Sequence, residues 1–186
     1  MHKSALKNVL MFYEKYCKND PLLEGKSVLD VGSLDIQGFN MRPIFIDPSR
    51  WNPADGGVPV KEYIGLDQDS GRNVDVVGSA HEMPFSDESF DIIISSSCFE
   101  HDDMFWVTFL EICRVLKKDG LIYIQAPSTG PYHGYPTDCW RFLKDSWSGL
   151  EKWANKNEHK ISLVESYIDE SDPLWNDNSA IYRKYK

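Results

Sequence analysis

The sequence predicts an α/β protein built on a mostly parallel sheet with helices on both faces. Three observations predict it. Short apolar β-runs alternate with amphipathic helical stretches. The runs end abruptly in small or acidic residues. A length of 186 residues suffices for one sizeable core but is short for two. In such a sheet, ligands bind outside the carboxyl ends of the strands where strand order reverses, so function is expected at those polar ends.

The chain opens with Leu6, Val9, Leu10, Tyr13 and Cys17 at helical spacing, stopped by Asn19-Asp20-Pro21. In SVLDVGSLDIQGF, Val28, Leu29 and Val31 form a buried strand that breaks at Gly32. Residues 40–61, rich in Pro, Gly, Asp and Asn, read as a short helix or turn and an exposed loop. Then EYIGLDQDSG, VDVVGSA and SFDIIISSS supply three more strands, each ending in small or acidic residues. Phe105, Trp106, Phe109, Leu110, Cys113 and Leu116 share one helical face, with Lys117 and Lys118 in the last turn and Gly120 as the C-cap. LIYIQAP is a fifth strand, followed by a helix over Asp145 to Asn155, the strand-like ISLVESYI and the segment NSAIYRKYK. There is no internal repeat.

Composition excludes several classes. With 20 Lys and Arg against 29 Asp and Glu, a formal charge of -9 disfavours a nucleic-acid substrate gripped through its phosphates. No apolar run is long enough to span a membrane and no secretory signal is visible, so the chain reads as cytoplasmic. Cys17, Cys98, Cys113 and Cys139 lack zinc-ligand spacing and are expected as reduced thiols. No resident metal is expected.

The residues with chemical potential follow strand by strand. Asp30-Val31-Gly32-Ser33, with Gly38 beyond, brings backbone close to a ligand or merely caps a loop. Asp67 ends the second strand, where a carboxylate can accept hydrogen bonds from two ribose hydroxyls; Asp69 is the alternative. Gly78-Ser79-Ala80-His81 leaves room for a flat ring, bordered by Met83 and Phe85, the latter reading better as core.

The ordered set DVGS, YIGLD, GSAHEMPFSDESFDIII, FEH and EICRVLKKDGLIYIQAP resembles the class I S-adenosylmethionine-dependent methyltransferases, in particular the methyltransferase type 11 group. The resemblance runs from about Ser27 to Pro127 and implies a single Rossmann-like three-layer sandwich. Its seven-stranded sheet would be mostly parallel with an antiparallel final strand. One domain over 1–186 would comprise an N-terminal helix (1–20), a cofactor-binding core (27–127) and an acceptor region (128–186). The resemblance further implies that Asp30, Gly32, Ser33 and Gly38 shape the methionine end of the site, Asp67 holds the ribose, and Ala80 and His81 flank the adenine. Ser96 and Ser97 would lie under the cofactor near the transferred methyl. The loop Gly-Ser-Leu-Asp-Ile-Gln-Gly departs from the closer glycine spacing of many relatives. It also lacks the G-x-G-x-x-G that a pyrophosphate needs, which argues against a dehydrogenase.

After the fifth strand, PSTGPYHGYPTDCWRF is dense in groups that can grip or deprotonate an acceptor. It resembles an element found in a subset of these methyltransferases, many associated with polysaccharide or sugar modification. Tyr135, Asp138, Trp140 and Arg141 are the candidate acceptor contacts. His133 is the first candidate for the base that takes a hydroxyl proton, and His101 the second. A divalent ion held by His133 and Asp138, with His101, is a lesser alternative. The expected partner is a small hydroxylated molecule such as a sugar. The atypical glycine loop also leaves open a non-catalytic binding protein on the same fold.

Overall fold

The computed structural model describes residues 3–50, 59–172 and 174–185. Its scaffold is a seven-stranded sheet: β1 Ser27–Val31, β2 Glu62–Asp67, β3 Val76–Val77, β4 Phe90–Ser96, β5 Leu116–Pro127, β6 Ile161–Asp169 and β7 Asp177–Lys184. The helices are α1 Lys3–Phe12, which continues as a wider π turn through Cys17, α2 Arg42–Ile46, α3 Phe105–Val115 and α4 Ser146–Lys156.

The strand order is β3-β2-β1-β4-β5-β7-β6. Strands β1 to β5 pair in parallel, whereas β7 runs antiparallel to both β5 and β6. This is the expected mostly parallel sheet with an antiparallel final strand, and the order reverses between β1 and β4.

Side-chain alternation along the central strands explains the two helical layers. Leu29, Val31, Ile93, Ile122 and Ile124 face a core shared with Phe109, Ile112 and Cys113 of α3 and Trp147, Leu150 and Ala154 of α4. Val28, Ile92, Ile94 and Tyr123 face the opposite core, made with Val9 and Phe12 of α1, Tyr13 and Cys17 of its π turn, and Ile44 and Phe45 of α2. Both faces being covered, β1 is buried at every position.

The end of α3 differs from the sequence reading, which carries the helix through Lys118 to a cap at Gly120. The helix stops at Val115, and Leu116 pairs with Phe90 of β4. The carbonyls of Arg114 and Val115 accept from the N–H groups of Glu88 and Ser89 (3.1 and 2.8 Å), which removes them from the helix. Lys117 reaches Asp91 at 2.8 Å. Gly120 lies within β5 at the register shift between Leu116 and Leu121, where an added Cβ would sit 2.9 Å from the Asp91 carbonyl.

The short helix expected in residues 40–61 is α2, while residues 51–58 of the expected loop lie outside the described residues. The third strand, read as VDVVGSA, is reduced to Val76–Val77. All four cysteines are free, and burial pushes the Cys17 and Cys113 thiols up to about 12. No described helix is long and apolar enough to cross a membrane.

Candidate active site at the carboxyl ends of the strands

The loop after β1 is fixed by backbone first. Gly32 takes a φ of +77°, and an added Cβ would lie 2.5 Å from Cys98 Sγ, so only glycine fits. The N–H groups of Gly32 and Ser33 both donate to the Leu66 carbonyl, at 2.9 and 3.1 Å. Asp35 then closes the turn with its side chain. Its buried carboxylate accepts from the Gly38 N–H (2.6 Å) and the Asn40 side chain (3.1 Å) and pairs with Arg72 (3.2 Å). The sequence reading missed Asp35; the signal was an acid three residues before a glycine, an Asx-type turn.

Asp67 joins this loop to the end of β2. One carboxylate oxygen accepts the Leu34 N–H (2.9 Å) and the other the Asp69 N–H (3.2 Å). A carboxylate offers about four lone-pair sites, so this half-buried group retains acceptor capacity. Asp69 is exposed, and its backbone N–H serves to hold Asp67.

Asp30 lies beneath the loop, 1% exposed. Its Oδ2 accepts from the Tyr63 hydroxyl (2.7 Å) and the Asn73 side-chain amide (3.2 Å), while Oδ1 has no partner among the described residues. Burial pushes its carboxyl up to about 7, against the pull of those two hydrogen bonds. Asn73, at a φ of +73°, also donates to the Ser33 carbonyl at 2.9 Å. Arg42 in turn donates to the Asn73 side chain at 2.8 Å and lies over the Tyr63 ring. Asp30 therefore acts on the loop through Asn73. Sequence pattern alone gave no cue to this long-range set.

The opposite rim is bolted to α3. His81 Nε2 lies 2.7 Å from Asp102 Oδ1, and the same Asp102 carboxylate accepts from the Met104 N–H (2.9 Å) and the Thr108 hydroxyl (2.5 Å). Ala80 is half-buried against the core; Met83 is buried, and Phe85 meets Phe90 edge-on at 5.0 Å. Ser96 is buried, its hydroxyl 3.4 Å from Gln125 Oε1. Ser97 takes a φ of +54° and donates its N–H to the Gln125 carbonyl at 3.0 Å. A non-glycine residue in that conformation at a strand end is a feature of strained functional sites.

The segment after β5 folds back over the residues that follow β4. Asp138 accepts two hydrogen bonds from Arg141 (2.6 and 2.8 Å) and one from the His133 N–H (2.8 Å). The Arg141 guanidinium holds its carboxyl well below the usual range. Arg141 also donates to the carbonyls of Pro131 and Trp140, both at 2.7 Å. Its bonds are thus made within the loop. The His133 ring packs between Trp175 (4.5 Å) and His101 (4.8 Å). His101 Nδ1 lies 2.6 Å from the Thr137 carbonyl, and burial lowers its pKa.

The two candidate bases are therefore neighbours. Behind them stands Glu100, 1% exposed, which the sequence reading missed and whose carboxyl burial pushes up to about 8. Tyr135 is exposed. Trp140 donates to the Asp102 carbonyl at 2.9 Å and lines, with Phe105, Trp106, Leu150 and Trp153, a cavity of about 550 Å³ between α3 and α4.

Comparison with known proteins agrees with this architecture. Residues 59–124 match the family model described as "Methyltransferase domain". A curated relative, an uncharacterized methyltransferase of Mycobacterium avium (strain 104), is 29% identical over 119 residues, covering 57% of this chain and 46% of its own length. The chain thus spans about half of that relative. Among solved structures, the YcgJ protein of Bacillus subtilis superposes with a TM-score of 0.59 at 15% identity, over 100% of both chains. The 1,6-didemethyltoxoflavin-N1-methyltransferase of Burkholderia thailandensis, solved with bound 1,6-didemethyltoxoflavin and S-adenosylhomocysteine, gives a TM-score of 0.65 at 16% identity, over 98% of this chain and 79% of that one. The chain thus carries a stretch similar to the methyltransferase domain model over residues 59–124 and shares the fold of a solved S-adenosylhomocysteine-bound methyltransferase.

Proposed function

We propose that the chain transfers a methyl group from S-adenosylmethionine to a hydroxyl of a small acceptor, a sugar or sugar-bearing metabolite, in the cytoplasm. The observation that carries the cofactor reading is the pairing of Asp67 with the Gly32 loop beside the β1/β4 switch point. A half-buried carboxylate with lone pairs to spare fits a ribose diol. The buried Ser33 hydroxyl, without a partner among the described residues, fits a further polar contact under the same loop. The cofactor supplies a methyl on a sulfonium, whose leaving group is already activated. What remains for the protein is alignment, exclusion of water and removal of one proton.

The acceptor side rests on the loop after β5. Asp138 and Arg141 hold His133, whose Nδ1 lies 3.1 Å from Asp138 Oδ2. That leaves Nε2 to take the acceptor's proton, with Tyr135 and Trp140 free to contact a sugar face. Asp30, Gly38, Ala80, His81, Ser96 and Ser97 complete the proposed cofactor wall. The domain is read as one unit, with residues 128–186 forming its acceptor side.

The test is calorimetry with S-adenosylmethionine, followed by an acceptor screen that reads S-adenosylhomocysteine formation. Asp67→Asn keeps an acceptor for the Leu34 N–H but loses the charge. Its affinity for the cofactor is expected to fall about 10- to 100-fold. Wild-type binding in the absence of any turnover across hydroxylated acceptors would overturn the acceptor assignment, and no binding would overturn the function.

A further inference from the structure

We propose that Glu100, His101 and His133 form a binding site for one divalent transition-metal ion of the zinc, cobalt or manganese kind. One ligand atom from each of the three lies within 4.8 Å of the other two. The argument rests on which nitrogens carry hydrogens. His101 Nδ1 lies 2.6 Å from the Thr137 carbonyl, and a carbonyl can only accept, so Nδ1 holds the hydrogen and Nε2 of the neutral ring presents its lone pair. That lone pair faces Glu100 Oε1 at 3.6 Å. The 3.6 Å gap is longer than a hydrogen bond, and once the Glu100 carboxyl gives up its proton two lone-pair donors confront each other across it. Glu100 Oε2 is buried and has no partner among the described residues.

His133 repeats the pattern. Its Nδ1 has the Asp138 carboxylate at 3.1 Å and the Pro131 carbonyl at 3.3 Å, leaving Nε2 with no hydrogen bond among the described residues. A ring nitrogen anchored to a carboxylate or backbone carbonyl while the other faces inward is how ligating histidines are oriented. Ligand atoms sharing an ion at bonds of about 2.1 Å stand roughly 3 to 4 Å apart, so Glu100 and His101 already have the spacing and His133, on its half-exposed loop, makes the final approach. Two imidazoles and one carboxylate favour a borderline transition ion over calcium or magnesium, which take oxygen. Asp138, which already accepts from Arg141 and His133, is a positioning residue for His133. This assignment departs from the first sequence expectation of no resident metal and, relative to the lesser alternative, puts Glu100 in the place of Asp138 as a ligand. Under the methyl-transfer reading, the ion would acidify the acceptor hydroxyl in place of a histidine base.

The full chain, tag-free and chelator-stripped, is titrated with Co²⁺ by visible absorption and with Zn²⁺ by calorimetry. One equivalent is expected to bind without the thiolate charge-transfer band of a cysteine site. His133→Ala and Glu100→Gln are each expected to weaken it about tenfold or more, and Asp138→Asn about 10-fold through His133 orientation. Should Glu100→Gln fail to fold, the exposed-loop change His133→Ala decides alone. No saturable binding by the wild type would overturn the site, as would affinity unchanged by His133→Ala, or affinity lost only on His81→Ala at the neighbouring His81, Asp102 and Asp103 cluster. No methyl donor is involved, so this result stands apart from that of the cofactor test.

Discussion

Asp30 is a carboxylic acid held in a place that water does not reach, and its cost is measurable. In the unfolded chain it ionises near the model value of 3.8, whereas in the fold burial pushes it up to about 7. Between those values the native state keeps a proton that the unfolded state has released, so stability falls as pH rises through the window and is level above it. A shift of this size corresponds to at most about 4 kcal/mol. Asp30→Asn keeps an acceptor for the Tyr63 hydroxyl and cannot ionise. Its urea midpoint relative to wild type is expected to climb between pH 4.5 and 7.5; a constant difference would mean that Asp30 is charged in the native state. Gly32 makes the complementary case. Gly32→Ala adds positive-φ strain of about 1–3 kcal/mol and drives a Cβ into Cys98. Its loss of stability should exceed that of Gly25→Ala, whose added Cβ meets nothing within 4 Å. The double change with Cys98→Gly should recover the steric part and leave the strain.

At the scale of elements, local pattern read well wherever an apolar face was buried on one continuous layer. Helices α1, α3 and α4 and strands β1, β2, β4, β5 and β6 stand where periodicity put them. Reading failed at joints whose hydrogen bonds come from elsewhere. The end of α3 was misjudged because Glu88 and Ser89, distant in sequence, take its terminal carbonyls. The Gly32 loop looked atypical because the cap is a side chain, Asp35, and not another glycine. His101 and His133 came together in the sequence reading only as the lesser metal alternative, and nothing in the linear text says that the loops after β4 and β5 bring their rings 4.8 Å apart. Two expectations belong here. In α4, Gly149 has open space at its Cβ position, so Gly149→Ala should stabilise the protein by about 0.5–1 kcal/mol in chemical denaturation; a destabilised variant would show that the groove beside it closes on that position. In the loop after β5, Arg141→Lys keeps the charge but cannot bridge Asp138, Pro131 and Trp140 together. Limited proteolysis should then cut within residues 128–142 several-fold faster while the global melting temperature moves by only a few degrees. Unchanged cleavage would remove Arg141 as the latch.

At the scale of the whole molecule, a mostly parallel sheet covered by helices was legible because strands alternate with helices, and the family resemblance supplied the seven strands with an antiparallel last one; the strand order itself came only with the structure. The net charge of -9 has a consequence that topology lacks. The carboxyl ends of the strands gather Asp35, Asp67, Asp69, Asp102 and Asp103, so the field of the whole chain and of the site have the same sign. S-adenosylmethionine carries a sulfonium charge that S-adenosylhomocysteine has lost. Under the proposed function, a negative site would hold the donor in preference to the spent product and favour exchange after each transfer. Salt screens this preference, since the Debye length falls from about 10 Å at 0.1 M to about 3 Å at 1 M. Calorimetry at low and high salt is expected to show the ratio of product to donor Kd shrinking by about two- to fivefold, the scale of partly screened charge interactions. A ratio that does not change with salt would mean that the acidic field is neutralised before the ligand reaches it, and a ratio that rises would place a compensating positive charge at the sulfonium.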